Sequence, residues 1–156
     1  MAHDLVLRDE PLDSAVALSL ITRLNAELRG AYPEPGANHF RLDPDEVGPG
    51  RGAFLVAFDG AAAVACGSRV LEPGTAEVKR MFVDPSCRGR GVAARVLAAL
   101  EERARTLGVT RFVLETGTRQ LAAIALYTRA GYVRIPPFGE YVASASTSVC
   151  MEKRAG

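Results

Sequence analysis

The stretch DPSCRGRGVAARVL, at residues 84–97, decides how this chain of 156 residues is interpreted. A strand-like apolar segment, Ala76 to Val83, precedes it, and apolar residues at helical spacing follow from Gly91 to Leu107. Glycines between a strand and a helix let backbone N–H groups approach an anion, and the helix N-terminus adds unpaired donors. Arg88 and Arg90 add positive charge. The stretch therefore predicts a turn that binds phosphate or pyrophosphate.

Other interpretations of the same turn have to be weighed. A Walker loop needs Lys followed by Ser or Thr after its last glycine, and neither is present. Gly89-x-Gly91-x-x-Ala94 matches a loosened dinucleotide-binding fingerprint, and Glu115 ends the next predicted strand. In that fold, however, the first glycine follows its strand directly and the motif opens a βαβ series. A tight turn with surface arginines is the third alternative.

The segments on either side of this turn predict a mixed fold. Asp59-Gly60 and Glu72-Pro73-Gly74 are turn signals that separate three strand-like runs, which predicts an antiparallel meander. The three runs are 53–59, 61–71 and 76–83. Helices are predicted over 11–29, 91–107 and 120–130, and further strands over 5–8, 112–115, 132–135 and 147–152. This order predicts a single domain over residues 1–156, an α/β sheet with helices on both faces.

Composition excludes several classes of protein. The net charge of +1 gives no electrostatic footprint for nucleic acid or an anionic membrane. No stretch approaches the ~20 apolar residues of a membrane span, and the first ten residues lack the pattern of a signal peptide. Three scattered Cys and two His offer neither a disulfide framework nor zinc-site spacing. We expect a cytoplasmic protein without a metal.

Four segments together resemble the GNAT superfamily of N-acetyltransferases: AEVKRMFV, DPSCRGRGVAARVL, FVLET and AAIALYTRAGY, between residues 76 and 132. The family signature Arg/Gln-x-x-Gly-x-Gly/Ala is met by Arg88, Gly91 and Ala93. The later signature Leu-Tyr-x-x-x-Gly-Tyr/Phe is met by Leu126, Tyr127, Gly131 and Tyr132. LETG, Gln120, LYTRAGY and FGEY also resemble a bacterial subgroup. The resemblance covers roughly residues 53 to 135, and it implies a mostly antiparallel sheet in which a central parallel strand pair is splayed.

The resemblance implies that acetyl-CoA is the acetyl donor. The pyrophosphate of the cofactor would lie on the turn formed by Arg88, Gly89, Arg90, Gly91, Val92 and Ala93. The pantetheine arm would run beside Met81, Phe82 and Val83 and pair with their backbone, as an added strand would. Gln120 stands where many members carry Asn, and we expect it to contact the cofactor.

The resemblance also implies two catalytic roles. Tyr127 occupies the family's acid position, where its hydroxyl would approach the thioester sulfur. Glu77 stands four residues before Met81, where some members place a general base; a strand residue paired with Lys79 or Arg80 is the structural alternative. A base is useful because neutralising a primary amine at pH 7 costs about 4 to 5 kcal/mol. The competing interpretation of the chain is a catalytically silent acyl-CoA-binding module.

The acceptor is expected to be a small primary amine. Glu115 and Thr116 would lie near the splay of the two parallel strands. The segment Tyr32 to Gly52, with four Pro and four Gly, predicts a long functional loop. We expect it to cover the acceptor opposite Pro136 to Tyr141. The acceptor-binding candidates on these two segments are His39 and Glu140, with Glu34 and Asp43 as further acidic groups. The final strand is apolar enough that we expect another chain to cover it, which predicts a homodimer.

Overall fold

The computed structural model of the protein describes residues 5–154, and these form seven strands and three α-helices. The strands are β1 (Leu5–Asp9), β2 (Gly52–Asp59), β3 (Ala61–Glu72), β4 (Thr75–Val83), β5 (Arg111–Gly117), β6 (Val133–Ile135) and β7 (Ser148–Arg154). The helices are α1 (Ala15–Ala31), α2 (Val92–Arg105) and α3 (Leu121–Arg129). Short 3-10 turns occupy Pro44–Val47, Pro85–Cys87 and Gly139–Ser144. Every predicted helix and strand is present, with small shifts at the ends.

One predicted helix end is wrong. The sequence predicts that α1 stops before Gly30, but the helix continues to Ala31. Its start is fixed by Ser14, whose hydroxyl accepts a hydrogen bond from the backbone of Ala17 at 3.1 Å. At the other end the backbone N–H of Tyr32 still donates to Leu28 O at 2.8 Å. Tyr32 is buried, so tertiary packing extends the helix past the glycine.

The sheet has the order β1–β2–β3–β4–β5–β7–β6. All neighbouring strands are antiparallel except β4 and β5, which run parallel. This confirms the predicted mixed sheet with one central parallel pair. Residues alternate along β2, so that Leu55 and Ala57 pack on the side of α2 and α3 while Phe54 and Val56 pack under α1. The helices therefore cover both faces of the sheet.

The parallel pair is splayed at one end. Pairing between β4 and β5 runs from Thr75↔Arg111 to Val78↔Leu114 and then stops, although both strands continue. At the same point Arg80 takes a positive φ of 64°, and the register of β3 with β4 shifts. An extra residue of this kind bends its strand and increases the local twist. The bulge therefore opens a gap between the C-terminal halves of β4 and β5.

The argument for a homodimer from the final strand is wrong. β7 lies between β5 and β6, so both of its edges are already paired. The free edges of the sheet belong to β1 and to the three-residue strand β6. The homodimer itself stays a prediction. Within the described part of the chain, α1 and the other helices are too short or too polar to cross a membrane.

Candidate active site

A cavity of about 120 Å³ lies at the splay between β4 and β5. The two strands supply one wall each, with Val78 to Met81 on β4 and Glu115 to Gly117 on β5. α3 contributes Ala123 and Tyr127 to the wall, and Gln120 lines it just before the helix begins. The rest of the lining comes from α1 and from two loops: Leu24, Leu28, Tyr32, Ala37, Asn38, His39, Tyr141 and Thr147. The bulge in β4 thus creates the space that the surrounding loops enclose.

Tyr127 presents a neutral hydroxyl to this cavity. Its ring is buried and packs edge-on against Tyr132, with the ring centroids 5.8 Å apart. Packing fixes the ring, but the hydroxyl has no hydrogen-bond partner among residues 5–154. Burial, assisted by Cys66 and Glu115, raises the pKa of Tyr127 well above its usual value of 10.0. The side chain is therefore a neutral phenol that packing holds in place, and its O–H group is free to donate a hydrogen bond.

Glu115 places a carboxylate in the opposite wall. Burial raises the pKa of Glu115 above its usual value of 4.5, because the charged form loses its contact with water. Ser148 limits this rise, since its hydroxyl donates to Glu115 Oε2 at 2.6 Å. The nearby basic groups of His39 and Lys79 also oppose the rise. A carboxylate with a raised pKa is a stronger base than an exposed one, which suits it to proton transfer.

A continuous chain of hydrogen bonds connects Glu115 to the surface. Ser148 Oγ lies 2.9 Å from Ser144 Oγ, which lies 2.7 Å from His39 Nε2. The other ring nitrogen, His39 Nδ1, lies 2.9 Å from Glu140 Oε1. The side chain of His39 is 12% exposed and that of Glu140 is 42% exposed. The chain therefore starts at a buried carboxylate in the cavity and ends at one in contact with solvent.

The structure places Glu77 behind the cavity, not in its wall. Its side chain is 1% exposed and both oxygens have partners. Arg69 donates from Nε and Nη2 to Glu77 Oε1 at 3.1 and 3.0 Å, and Tyr141 donates its hydroxyl to Oε2 at 2.5 Å. The alternative partners, Lys79 and Arg80, are not the ones found. Glu77 therefore reaches the cavity only through Tyr141, and its role as a base stays a prediction.

The glycine-rich turn has the open backbone that an anion requires. Gly89 and Gly91 have φ values of 78° and 77°, and a Cβ at either position would meet nothing within 4 Å. Gly91 caps α2 without any side-chain hydrogen bond, so the first N–H groups of the helix keep their capacity to donate. Val92 buries its side chain in the core, so only its backbone can contact a ligand. These features fit a bound pyrophosphate.

The two arginines of this turn are paired with carboxylates. Arg88 Nη2 lies 3.0 Å from Glu27 Oε2, and Arg90 Nη2 lies 2.9 Å from Asp59 Oδ2. Their guanidinium groups are about half exposed. Pairs of this kind contribute little to stability and exchange easily for another anion. The arginines are thus held beside the turn and remain able to contact a phosphate.

The C-terminal half of β4 leads from this turn to the cavity. Beyond Val78 the strand has no partner on the β5 side, so the backbone groups of residues 79–83 that face β5 are free of ladder hydrogen bonds. Met81 lines the cavity. Phe82 is buried under α1 and offers only its backbone, while Val83 is half-buried. The gap fits an extended chain that pairs with the strand.

The sequence-predicted residues of the acceptor site and of the reacting centre, except Glu77, meet at this cavity. Met81, Glu115, Thr116, Gln120, Tyr127 and His39 line it, and Glu140 is bonded to His39. The further acidic candidates have other partners: Glu34 pairs with Arg119 at 2.7 Å, and Asp43 with Arg41 at 3.4 Å. Sequence reasoning included Tyr141 only as the end of the segment Pro136 to Tyr141, and it missed Ser144 and Ser148. No spacing signals them, because Ser144 contacts a histidine 105 residues away.

Comparison with known proteins gives consistent results. The profile of the acetyltransferase (GNAT) family matches residues 18–132. The chain is similar to an IAA acetyltransferase of Azospirillum brasilense, with 38% identity over 90% of this chain and 92% of the relative. It is 28% identical to the uncharacterized N-acetyltransferase YjgM of Escherichia coli (strain K12), over 84% of this chain and 80% of that protein.

Solved structures agree with this similarity. A Klebsiella pneumoniae protein assigned as an acyl-CoA N-acyltransferase superimposes with a TM-score of 0.81 at 31% identity, covering 97% of this chain and 98% of that one. The PaiA N-acetyltransferase of Thermoplasma acidophilum, solved with coenzyme A, gives a TM-score of 0.72 at 14% identity, covering 97% and 99%. At that identity the second likeness shows the fold alone.

Proposed function

Because the chain belongs to the GNAT family of acyl-CoA-dependent N-acetyltransferases, we propose that it transfers the acetyl group of acetyl-CoA directly to a primary amine of a small molecule. The observation that carries this proposal is the pair formed by Tyr127 and Glu115. A free phenol and a buried carboxylate line one cavity at the splay of β4 and β5. The cavity volume of about 120 Å³ favours a small acceptor, as does the name of the Azospirillum relative.

Three parts of the chain are proposed to hold the cofactor. The backbone N–H groups from Arg88 to Ala93 would bind the pyrophosphate, with Arg88 and Arg90 beside it. The free backbone of Met81 to Val83 would pair with the pantetheine arm. Gln120 lines the cavity, and its side chain makes no capping hydrogen bond to α3, so the side-chain amide is available for the cofactor. Bound acetyl-CoA supplies an acetyl group activated as a thioester.

Glu115 is proposed as the general base for the amine. A primary amine is almost wholly protonated at neutral pH, so it must lose one proton before it can attack and a second afterwards. Glu115 faces the cavity and its raised pKa favours proton uptake. One oxygen, Oε2, accepts from Ser148, which leaves the other oxygen for the amine. A general base must lie within hydrogen-bond reach of the proton, and an amine bound in the cavity would meet this requirement at the free oxygen.

The hydrogen-bond chain is proposed to carry that proton to the surface. Protonated Glu115 would donate to Ser148, which would pass its own proton to Ser144. Ser144 would then donate to His39 Nε2, and His39 would release the proton on Nδ1 to Glu140. Each group gains one proton and loses one, so only Glu140 changes its charge, and it returns the proton to water. The relay leaves His39 protonated on Nε2 instead of Nδ1, so the reset requires rotation of both hydroxyls and return of His39 to its first tautomer by proton exchange with water.

Glu77 remains the competing proposal for the base, as the sequence predicts. Its carboxylate is saturated by Arg69 and Tyr141, so it would have to act through the Tyr141 hydroxyl. Burial and the neighbouring Glu77 raise the pKa of Tyr141 well above its usual value, so that hydroxyl stays protonated and keeps donating to Glu77. We therefore assign Glu77 to positioning Tyr141 at the cavity wall.

A single assay tests the proposed function. Thiol release from acetyl-CoA is measured with a panel of small amines, and the product is identified by mass spectrometry. Direct transfer predicts an N-acetylated amine, intersecting initial-velocity lines and no acetylated protein when the amine is omitted. Parallel lines with an acetylated protein would contradict direct transfer. Acetyl-CoA binding with no thiol release for any amine would instead identify a silent binding module.

A further inference from the structure

Arg80 is a buried cation in the wall of the cavity. The residue is 8% exposed, and its backbone adopts the left-handed region with φ 64°. Its guanidinium hydrogen-bonds to Asn25 and stacks on the ring of Phe40, with Cζ 4.8 Å from the ring centroid. A non-glycine residue in this region of φ is strained, and such strain collects at functional sites. Packing alone therefore does not explain why a buried arginine occupies this strained position at the bulge.

No carboxylate neutralises this arginine. Among residues 5–154, no Asp or Glu oxygen lies within 4.0 Å of Arg80, and the same holds for Arg29. Arg29 stacks on the same ring of Phe40, with Cζ 5.1 Å from the centroid. Burial and the nearby charge of Arg29 lower the pKa of Arg80 to about 10, so it stays charged at neutral pH. Arg80 is thus a buried cation without a carboxylate partner, beside a second, exposed arginine, and this arrangement favours an anion.

The other buried cations of this region have partners. Arg69 contacts Glu46 and Glu77, which compensate its charge. Lys79 donates to Arg41 O at 2.8 Å and lies 3.9 Å from Glu140 Oε2. The lack of an acidic partner is thus a local property of Arg80 and Arg29. A compact anion at the cavity would supply the missing charge, and guanidinium groups match carboxylate geometry.

We propose that Arg80, supported by Arg29, binds a carboxylate of the acceptor, so that the substrates are small amino acids rather than simple amines. This inference rests on the proposed function. Both charges of a zwitterion then have a partner in the same cavity: Glu115 on β5 for the amine and Arg80 on β4 for the carboxylate. The phosphates of the cofactor are expected elsewhere, at the turn that follows β4.

Matched pairs of acceptors test this assignment. The twenty amino acids are compared with their decarboxylated amines, such as L-alanine with ethylamine and glycine with methylamine, using thiol release from acetyl-CoA. We expect kcat/KM to favour the amino acid of a pair by at least 10-fold. Replacing Arg80 by Gln should lower kcat/KM for the amino acid on the order of 10- to 100-fold, the range of charge-assisted hydrogen bonds, and leave the amine unaffected.

Three further variants control for structural effects. Arg80→Lys keeps the charge and should retain part of the preference. Arg29→Gln alters an exposed residue, so it should fold even if Arg80→Gln does not, and it should weaken the preference in the same direction. Arg8→Gln removes a matched arginine, stacked on Phe58 at 5.0 Å and outside the cavity lining, and should change nothing.

Two outcomes would overturn the inference while leaving the proposed function intact. One is that the simple amines are acetylated as well as the amino acids. The other is that Arg80→Gln, or Arg29→Gln where the first does not fold, lowers kcat/KM for both members of a pair equally. A rise in KM for acetyl-CoA without any change for the acceptors would also assign the anion site to the cofactor. If no amine of either kind releases thiol, the proposed function itself fails.

Discussion

His39 Nδ1 lies 2.9 Å from Glu140 Oε1, and this contact joins two segments that are 101 residues apart in the chain. One segment is the long loop after α1, and the other is the 3-10 turn before β7. The contact closes the outer side of the cavity and also forms the last link of the hydrogen-bond chain from Glu115. The two roles proposed for this contact, loop closure and proton transfer, can be separated by mutation.

Glu140→Gln should slow turnover without weakening acceptor binding. A glutamine oxygen still accepts from His39 Nδ1, so the loops stay joined, but the amide cannot take up a proton at neutral pH. The fall in kcat should be smaller than the ~10² to 10⁴ of direct acid–base catalysis, because water can reach this exposed position. Steady-state kinetics measures the effect. A raised KM for the amine at unchanged kcat would assign the contact to loop closure alone.

Shortening the long loop should affect the acceptor more than the cofactor. Residues 33–36 precede Ala37, Asn38 and His39, which line the cavity. Their removal should displace these three residues and raise KM for the amine far above the change in KM for acetyl-CoA. Equal changes in both KM values would show that the loop has only a structural role.

Glu115→Gln should remove the acidic limb of the pH–rate profile. A base must be ionised, so kcat/KM should fall as the pH drops through the raised pKa of Glu115, above the usual 4.5. Loss of the base should lower kcat by ~10²-fold or more. Since the folded-state pKa is raised, Glu115 stabilises the fold most at low pH and loses that contribution as the pH rises through it. The neutral variant should therefore keep its melting temperature at pH 8.

Glu77→Gln is the comparison for that experiment. Gln keeps an acceptor for Tyr141 but loses the ion pair with Arg69 inside the protein, so we expect a lower melting temperature and a retained acidic limb. An acidic limb that vanished in Glu77→Gln and persisted in Glu115→Gln would restore the sequence-based assignment of Glu77 as the base.

Gly91→Leu should abolish stabilisation by acetyl-CoA. A side chain there would project into open space at the start of α2, where the pyrophosphate is proposed to bind. In the unaltered protein a cofactor concentration of 100 Kd should add about 2.7 kcal/mol of stability, and NAD and ATP should add less. Gly108→Leu is a matched control, because Gly108 has a φ of 81°, equally open surroundings and a position at the other end of α2. Equal loss of the shift in both variants would contradict the assignment.

Association of two copies remains a prediction from the fold family. Light scattering at high concentration should give a mass of twice 16.6 kDa. Of the two free sheet edges, the β6 edge carries Val133, which is 61% exposed. Val133→Glu should then shift the equilibrium to the monomer. A monomeric mass for the unaltered protein would contradict the predicted dimer.

Local patterns were sufficient to predict the helices and strands and their order along the chain, and the family resemblance added the central parallel pair. Asp59-Gly60, the glycine-rich turn before α2 and the apolar periodicities each act within a few residues, so the elements and their order follow from sequence. The position of β7 between β5 and β6 does not, because strand order depends on contacts between distant segments. The same limit explains the missed end of α1, where packing of Tyr32 outweighs the helix-breaking tendency of Gly30.

The candidate site likewise contains residues that the sequence predicts and residues that it does not. Glu115, Tyr127 and the phosphate turn lie in segments that resemble a known family, and they were predicted. Ser144 and Ser148 connect Glu115 to His39 only in three dimensions. Arg80 was considered only as a partner for Glu77, because no local pattern shows that a buried arginine lacks a carboxylate.

The most direct test of the central claim is kcat for Tyr127→Phe. The change removes only a hydroxyl that has no partner among the described residues, so packing against Tyr132 and the melting temperature should be preserved. If the hydroxyl stabilises the departing thiolate, that interaction strengthens in the transition state. Single-turnover thiol release should then fall by ~10² to 10⁴, with little change in KM for acetyl-CoA. An unchanged single-turnover rate would contradict the account and reduce Tyr127 to a packing residue.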